Sequence, residues 1–560
     1  TNMCGWKIDR ARRLALWVLC ISWVLWVGAC AKRETHSRSE AILRISQRNE
    51  PATLDPQVAA LPDEFFILRA LSEGLVIPTA SGAVQPAAAE KWETSADGLT
   101  WTFHLRPNAV WSNGDPVTAR DFVYTIHRAL TPALAAPKAP LFFVLKNAEA
   151  FYRGKIADSS SLGATAVDDR TLVLALEHPA PQLLALLASG PWLPVHETTV
   201  EKFGNTRTSD WTRPGNFVGN GPFVLADWQP NRRIVVHKNP RYRDTARVRL
   251  DGISFEAFDN GEAEERAFRA GQIDVTMAVP FSKLSTYAPP ALNTLPLAET
   301  RYLALNVQRP PLDDPRVRRA LALAIDRQVL TDAVLKGGQQ PALSVIPLGL
   351  GGYLPLEGIG WSAAAAPAPA GGTQGAGSTD IDQAAALTEA RRLLAEAGFP
   401  DGRGFPNLEL TTWPVNLTQL EAVQQMWRRE LGIEVTLVRR DLRVQQAALH
   451  AGDFTIGFMA VIPDYNDPAA AFGELVTGAA NNFSHWSNAR YDALVAEADR
   501  TPDAGRRLAL YREAESVLLS ELPLVPLYFN TQKFLLAPRV QGWRQDALWN
   551  RDYRDVFLKE

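Results

Sequence analysis

The sequence predicts a mixed α/β protein built in more than one lobe, and three observations point there. Its 560 residues exceed what a single hydrophobic core ordinarily organises. Apolar residues make up 46% and charged residues 21%, the balance of a globular chain. Residues 408–437 read strand, helix, strand, a βαβ unit with parallel strands.

The elements follow in chain order. Ile42 to Ile45 has a short strand pattern, and Glu50-Pro51 and Asp55-Pro56 punctuate the loop behind it. Leu99, Trp101, Phe103 and Leu105 alternate as on a strand with one buried face. Asn113-Gly114 marks a turn, and Thr118 with Asp121 forms a capping-box pattern. The helix behind it carries Phe122, Val123, Ile126 and Leu130 on one face and stops at Pro132. Asp314-Pro315 opens a second helix, with Val317, Leu321, Ala324 and Ile325 as its apolar stripe. Residues 362–380 are of low complexity and read as a surface loop. Helix 388–397 ends at Gly398. Next come the strand of Leu408 and Leu410, the helix of Leu420, Val423, Trp427 and Leu431, a stop at Gly432 and the strand of Ile433, Val435 and Leu437.

Composition excludes several functions. With 58 basic and 61 acidic residues interspersed, the chain lacks the basic footprint of a nucleic-acid binder. The eight histidines are scattered with no i, i+4 pair, and none of the motifs GxSxG, HExxH or GxxxxGK[ST] is present. No catalytic centre, metal site or cofactor is therefore expected. The sixteen tryptophans fit either a core or the wall of a ligand cleft.

The three cysteines, Cys4, Cys20 and Cys30, all lie in the first thirty residues. Arg10, Arg12 and Arg13 precede an apolar run from Leu14 to Val27, shorter than the ~20 residues of a spanning helix. This is a signal-peptide pattern. The small residues Gly28-Ala29 before Cys30 resemble a bacterial lipobox, which implies a leader over 1–30, acylation of Cys30 and a polar tether over 31–40. A periplasmic or cell-envelope location, anchored to the lipid bilayer, is the expectation.

Ile462-Pro463-Asp464-Tyr465-Asn466-Asp467-Pro468 follows an apolar stretch, Phe454 to Ile462. It reads as a turn at the end of a buried strand, where ligands dock in α/β sheets. Equally, its Asp and Asn side chains could cap their own backbone.

The chain resembles the large bacterial extracellular solute-binding proteins of oligopeptide and dipeptide ABC importers, family 5. The matching residues include Glu50-Pro51-Ala52-Thr53-Leu54-Asp55-Pro56, Trp111-Ser112-Asn113-Gly114-Asp115-Pro116, Asp121-Phe122-Val123-Tyr124, Gly219-Asn220-Gly221-Pro222-Phe223, Lys238-Asn239-Pro240, Asp314-Pro315-Arg316-Val317-Arg318 and Asp464-Tyr465-Asn466-Asp467-Pro468. The resemblance implies a two-lobed periplasmic-binding-protein fold of type II, the large cluster-C form with an added domain. Lobe I would comprise 40–76, 213–309 and 533–560, the inserted domain 77–212 and lobe III 310–532. The implied function is to capture short peptides between the lobes, as a monomer, and deliver them to ABC importer permease subunits. The resemblance assigns Asp464 to the peptide ammonium, with Tyr465 and Asn466 beside it. It assigns Ala60, Leu61, Pro62 and Asp63 to the ligand backbone, and His450 to the ligand-binding set. Leu449 and Phe458 stand where tripeptide-type members carry basic residues for the peptide carboxylate, and Val461 stands in place of a frequent tryptophan. The alternatives are a receptor of the same fold for a metal chelate, haem, cell-wall peptide or opine, or a surface chaperone or hydrolase.

Overall fold

The computed structural model describes residues 40–47, 49–79, 81–356, 382–413 and 417–559. The expected leader, Cys30, nearly all of the tether and the low-complexity loop over 362–380 lie outside the described residues. Among the described residues no helix is long and apolar enough to cross a membrane.

Three sheets carry the architecture. The first runs in the order Ile42–Gln47, Gly252–Ala257, Arg233–Lys238, Phe223–Gln229, with only the first pair parallel. The second has six strands, ordered Gln340–Pro341, Leu524–Leu535, Leu292–Leu305, Ile456–Val461, Leu408–Thr412, Val435–Arg439. The third is antiparallel, ordered Ala89–Thr94, Thr100–Leu105, Thr171–Ala175, Ala164–Asp168.

Two long strands of the second sheet also reach the core of the first. Leu292–Leu305 and Leu524–Leu535 pair antiparallel along most of their length. At one end Leu295 and Phe534 pack with Leu43, Ile45 and Phe255. At the other, Leu303, Leu305, Val525 and Leu527 join the core of the second sheet. A paired two-strand ribbon thus bridges two hydrophobic cores, a connection that permits bending where its ladder is irregular, between Pro296 and Thr300.

Period-two alternation explains why Ile456 to Ile462 carries no polar side chain. Ile456 and Phe458 enter the core on one face of the sheet, and Met459 and Val461 the core on the other. Helices cover both faces, so neither set of side chains meets water. The βαβ unit forms as expected: Leu408–Thr412 and Val435–Arg439 are parallel, joined through helix Leu417–Leu431. Gly432 ends that helix at φ 67°, and a Cβ there would lie 2.5 Å from the Asp401 carbonyl oxygen.

The sequence signals at 111–130 are structural. Asp121 Oδ2 accepts from the Thr118 backbone N–H at 2.8 Å and from Trp111 Nε1 at 3.3 Å, closing the N-terminus of helix Ala119–Leu130. The strand Thr100–Leu105 is less regularly buried than its alternation predicts. Phe103 and Leu105 are buried, whereas Leu99 and Trp101 are half-exposed. Trp101 stacks on Phe103 at a centroid distance of 6.4 Å, so it is covered from one side only.

Helix Ala119–Leu130 is tied to the first loop by a buried charge cluster. Arg128 donates to Asp55 at 2.9 and 2.5 Å, to Gln57 at 2.9 Å and to Asn205 at 2.7 Å, and the Arg128 and Asp55 side chains are 1% and 2% exposed. Removing one member strands the other charge away from water. Arg128→Met is expected to lose about 3–5 kcal/mol of stability, read as the urea midpoint of unfolding. A midpoint within error of the parent would contradict this role.

Candidate functional site

The strand Ile456–Val461 ends at Ile462-Pro463, and the five residues after it are fixed one by one. Asp467 receives Arg507 through two bonds at 2.8 and 2.5 Å and caps the Ala469 backbone N–H at 2.9 Å. Arg507 lies against the Tyr511 ring, 5.2 Å from its centroid. Asn466 donates to the Gly82 carbonyl at 2.9 Å and accepts from the Gly351 N–H at 2.9 Å. Gly82 has φ 80°, and a Cβ there would meet the Asn466 amide nitrogen at 2.2 Å, so a side chain at 82 would break this stitch. Tyr465 packs against the cores of both the second and third sheets, and burial pushes its phenol well above the usual range.

With its neighbours engaged in structure, Asp464 is left facing a cleft. Its carboxylate, 29% exposed, receives Lys138 Nζ at 2.8 Å on each oxygen. Lys138 comes from the segment before the short helix Ala139–Phe142, 326 residues away in sequence. Burial opposes its charge, but Asp464, with a smaller contribution from Glu474, holds the ammonium above its ordinary range. Glu474 is half-buried in the same corner. Loss of hydration pushes its carboxyl up to about 8, the Asp464 charge adds to the rise, and Lys138 and Asn481 oppose it. Asp464 thus holds the ammonium, and Glu474 lies close enough to feel both charges.

The cleft around Asp464 encloses about 500 Å³, its open mouth included. Ala60, Pro62 and Phe65 form one wall, Gly190 and Pro191 a second, Ile462 and Pro463 a third, and Leu548, Trp549 and Asn550 close it. A smaller recess adjoins it between Gly82, Ser189 and Asn466 and shares Asp464 and Asn550. Asp546 shapes the closing turn, accepting from the backbone N–H groups of Leu548 at 2.9 Å and Asn550 at 2.8 Å.

Of the residues singled out in sequence, Asp464, Tyr465, Asn466, Ala60 and Pro62 line these cavities. Leu61, 42% exposed, and Asp63, which accepts from the Asn49 side chain, are not among the lining residues. The N–H groups of Ala60 and Leu61 already donate to Glu64 Oε2 at 2.8 and 3.0 Å. His450 is exposed at the end of helix Leu442–His450, edge-on to Phe483 at 5.0 Å, and lines none of the cavities described. Lys138, Glu474, Arg69 and the 548–550 turn were not singled out in sequence. Lys138 did leave a signal, as a lone cation in the apolar run from Leu134 to Phe143. Among the described residues no group of three or more His, Cys, Asp or Glu is arranged to hold a metal ion.

The profile of the bacterial extracellular solute-binding proteins, family 5, middle part, matches residues 83–483. YgiS of Escherichia coli K12, a probable deoxycholate-binding periplasmic protein, is 35% identical over 533 residues, covering 93% of each chain. The periplasmic oligopeptide-binding protein OppA of the same strain is 31% identical over 520 residues and 91% of each. The solved structure of the Escherichia coli murein tripeptide-binding protein MppA aligns with a TM-score of 0.80 at 32% identity, over 93% of this chain and 99% of that one. The unliganded open form of MppA gives 0.73. The two-lobed α/β binding-protein fold expected from sequence is the fold shared with these structures.

Glu474 ties the site to stability. Its pKa is near 4.5 when unfolded and about 8 when folded, so between these values the folded chain keeps a proton that the unfolded chain releases. Stability conferred by this group is therefore present at low pH and lost as pH rises toward 8. Urea midpoints at pH 5 and 8 should fall less for Glu474→Gln than for the parent; equal falls would contradict the shift.

Proposed function

The chain belongs to the bacterial extracellular solute-binding proteins of family 5, non-enzymatic receptors of ABC import, and from that premise we propose that its solute is a short peptide whose ammonium docks at Asp464. The observation that carries this reading is the charge arithmetic of the cleft. Asp464 is paired with Lys138, and Glu474 beside them is held protonated up to about 8. A second ammonium brought by a ligand favours ionisation of Glu474, so the cleft can take an amine and keep its charges matched. Burying an unpaired carboxylate or ammonium costs far more than burying the pair, so the match discriminates. The adjoining walls, from Phe65 to Trp549, are largely apolar and suit side chains of varied sequence. Solute-bound closure of the lobes about the two-strand ribbon then presents the receptor to its permease. In this reading Cys30 is acylated and holds the receptor at the membrane on the periplasmic side.

A second reading is favoured by the Lys138–Asp464 pair itself. If that pair persists, the cleft needs no amine and takes an apolar anion, the kind of solute named for YgiS.

Calorimetry separates the two readings. Asp464→Ala is expected to weaken trialanine on the order of tenfold or more while leaving N-acetyl-trialanine nearly unchanged. Parent affinity for trialanine should rise from pH 6 toward pH 8, because a bound ammonium favours ionised Glu474. Equal losses for both peptides, or tight deoxycholate binding with no peptide bound, would refute the assignment.

A further inference from the structure

A larger cavity of about 830 Å³, its mouth included, shares Arg69 and Asn550 with this cleft. Its wall carries five arginines, Arg69, Arg247, Arg544, Arg551 and Arg554, against three carboxylates, Glu73, Asp546 and Asp552. Most of these charges are neutralised locally. Glu73 is held by Arg243 at 2.6 and 2.9 Å and by the Tyr242 hydroxyl. Asp552 receives Arg554 at 2.8 and 2.6 Å. Arg247 and Arg544 share Asp555, which is not itself among the lining residues. Asp546 is engaged by the 548–550 turn.

Two guanidiniums are left over. Among the described residues, neither Arg69 nor Arg551 forms an ion pair with a carboxylate, although Asp546 and Asp552 lie near enough to favour the Arg69 charge. Arg69 gives Nη2 to the Ala188 carbonyl at 3.0 Å, and its buried Nε–H has no acceptor. Arg551, 4% exposed, gives Nε to Gln545 at 3.0 Å and rests Nη2 on the Met277 sulfur. The Arg551 guanidinium reaches the adjacent Tyr553 hydroxyl, and neither group has a carboxylate partner among the described residues. Arg551 is fixed against the Phe66 ring, 3.8 Å from its centroid. Two guanidiniums on one cavity wall are therefore buried without a carboxylate, and the Arg69 Nε–H without any acceptor, a costly arrangement that an anion relieves.

We infer that this cavity is a carboxylate-binding subsite, in which Arg69, Arg551 and the Tyr553 hydroxyl receive the anionic end of the captured solute. The inference rests on the cleft reading above and adds to it a requirement at the far end of the ligand. Arg69 lines both this cavity and the Asp464 cavity, so a solute with its ammonium at Asp464 can present its carboxylate to Arg69. The function of the basic residues replaced by Leu449 and Phe458 is thereby met from a different part of the chain.

The test compares trialanine with trialaninamide by calorimetry, alongside an acetate titration followed through the arginine Nε–H NMR signals of the whole mature chain. Expected are binding of the amide on the order of tenfold weaker or more, loss of that preference in Arg69→Gln, partial recovery in Arg69→Lys, and acetate-induced shifts at Arg69 and Arg551. Gln keeps a donor for the Ala188 carbonyl, and an unchanged melting temperature shows that the variant is folded. Acetate shifts at both arginines without binding of any tripeptide would support the subsite while the peptide reading fails. Acid and amide bound equally, or no acetate response at either arginine, would overturn the subsite.

Discussion

Lys138 and Asp464 meet beside the cleft in a two-pronged ion pair, and the neighbouring loop residues hold Asp464 there. The pair joins residues 326 positions apart. It is only partly hydrated, and it has a second carboxylate at its back. A charged pair in such a place is stable only while both sides are positioned closely, because separating them leaves each charge poorly solvated. The neighbouring residues supply that positioning. Asp467 anchors the loop to Arg507, Asn466 stitches it to Gly82 and Gly351, and Tyr465 is wedged between two cores. Asp464, paired with Lys138, is the acid of its loop that also lines the cleft.

The scaffold makes such a site adjustable. Two paired strands of the second sheet also pack into the core of the first, and the cleft is walled by segments from widely separated parts of the chain. Polar groups at such a junction carry different weights according to whether they are already satisfied. The N–H groups of Ala60 and Leu61 are committed to Glu64, whereas Arg69 keeps a donor without an acceptor and Arg551 has no carboxylate partner among the described residues. Free energy for recognition is available from the second kind of group and not from the first.

What the sequence made legible follows from the range of the interactions. The capping box at Thr118 and Asp121, the proline start at Asp314-Pro315 and the stop at Gly432 are local, and each formed as read. Asp464 was legible because acids, an aromatic and an amide crowd together after an apolar strand, and because the motif resembles a known family. Lys138, Glu474, Arg69 and the turn around Trp549 were not. Their meaning depends on which distant groups already have partners, and no local pattern records that. His450 is the reverse case: a residue prominent by position in the chain that the fold leaves on an exposed helix end.

The account turns on the ligand being doubly charged, with an amine for the carboxylate pair and a carboxylate for the unpaired arginines. Mass spectrometry of the solute released from protein purified under non-denaturing conditions tests this most directly. The account predicts peptides of a few residues with free amino and carboxyl ends. A solute lacking a primary amine, whether a bile acid, a sugar or a metal chelate, would contradict it.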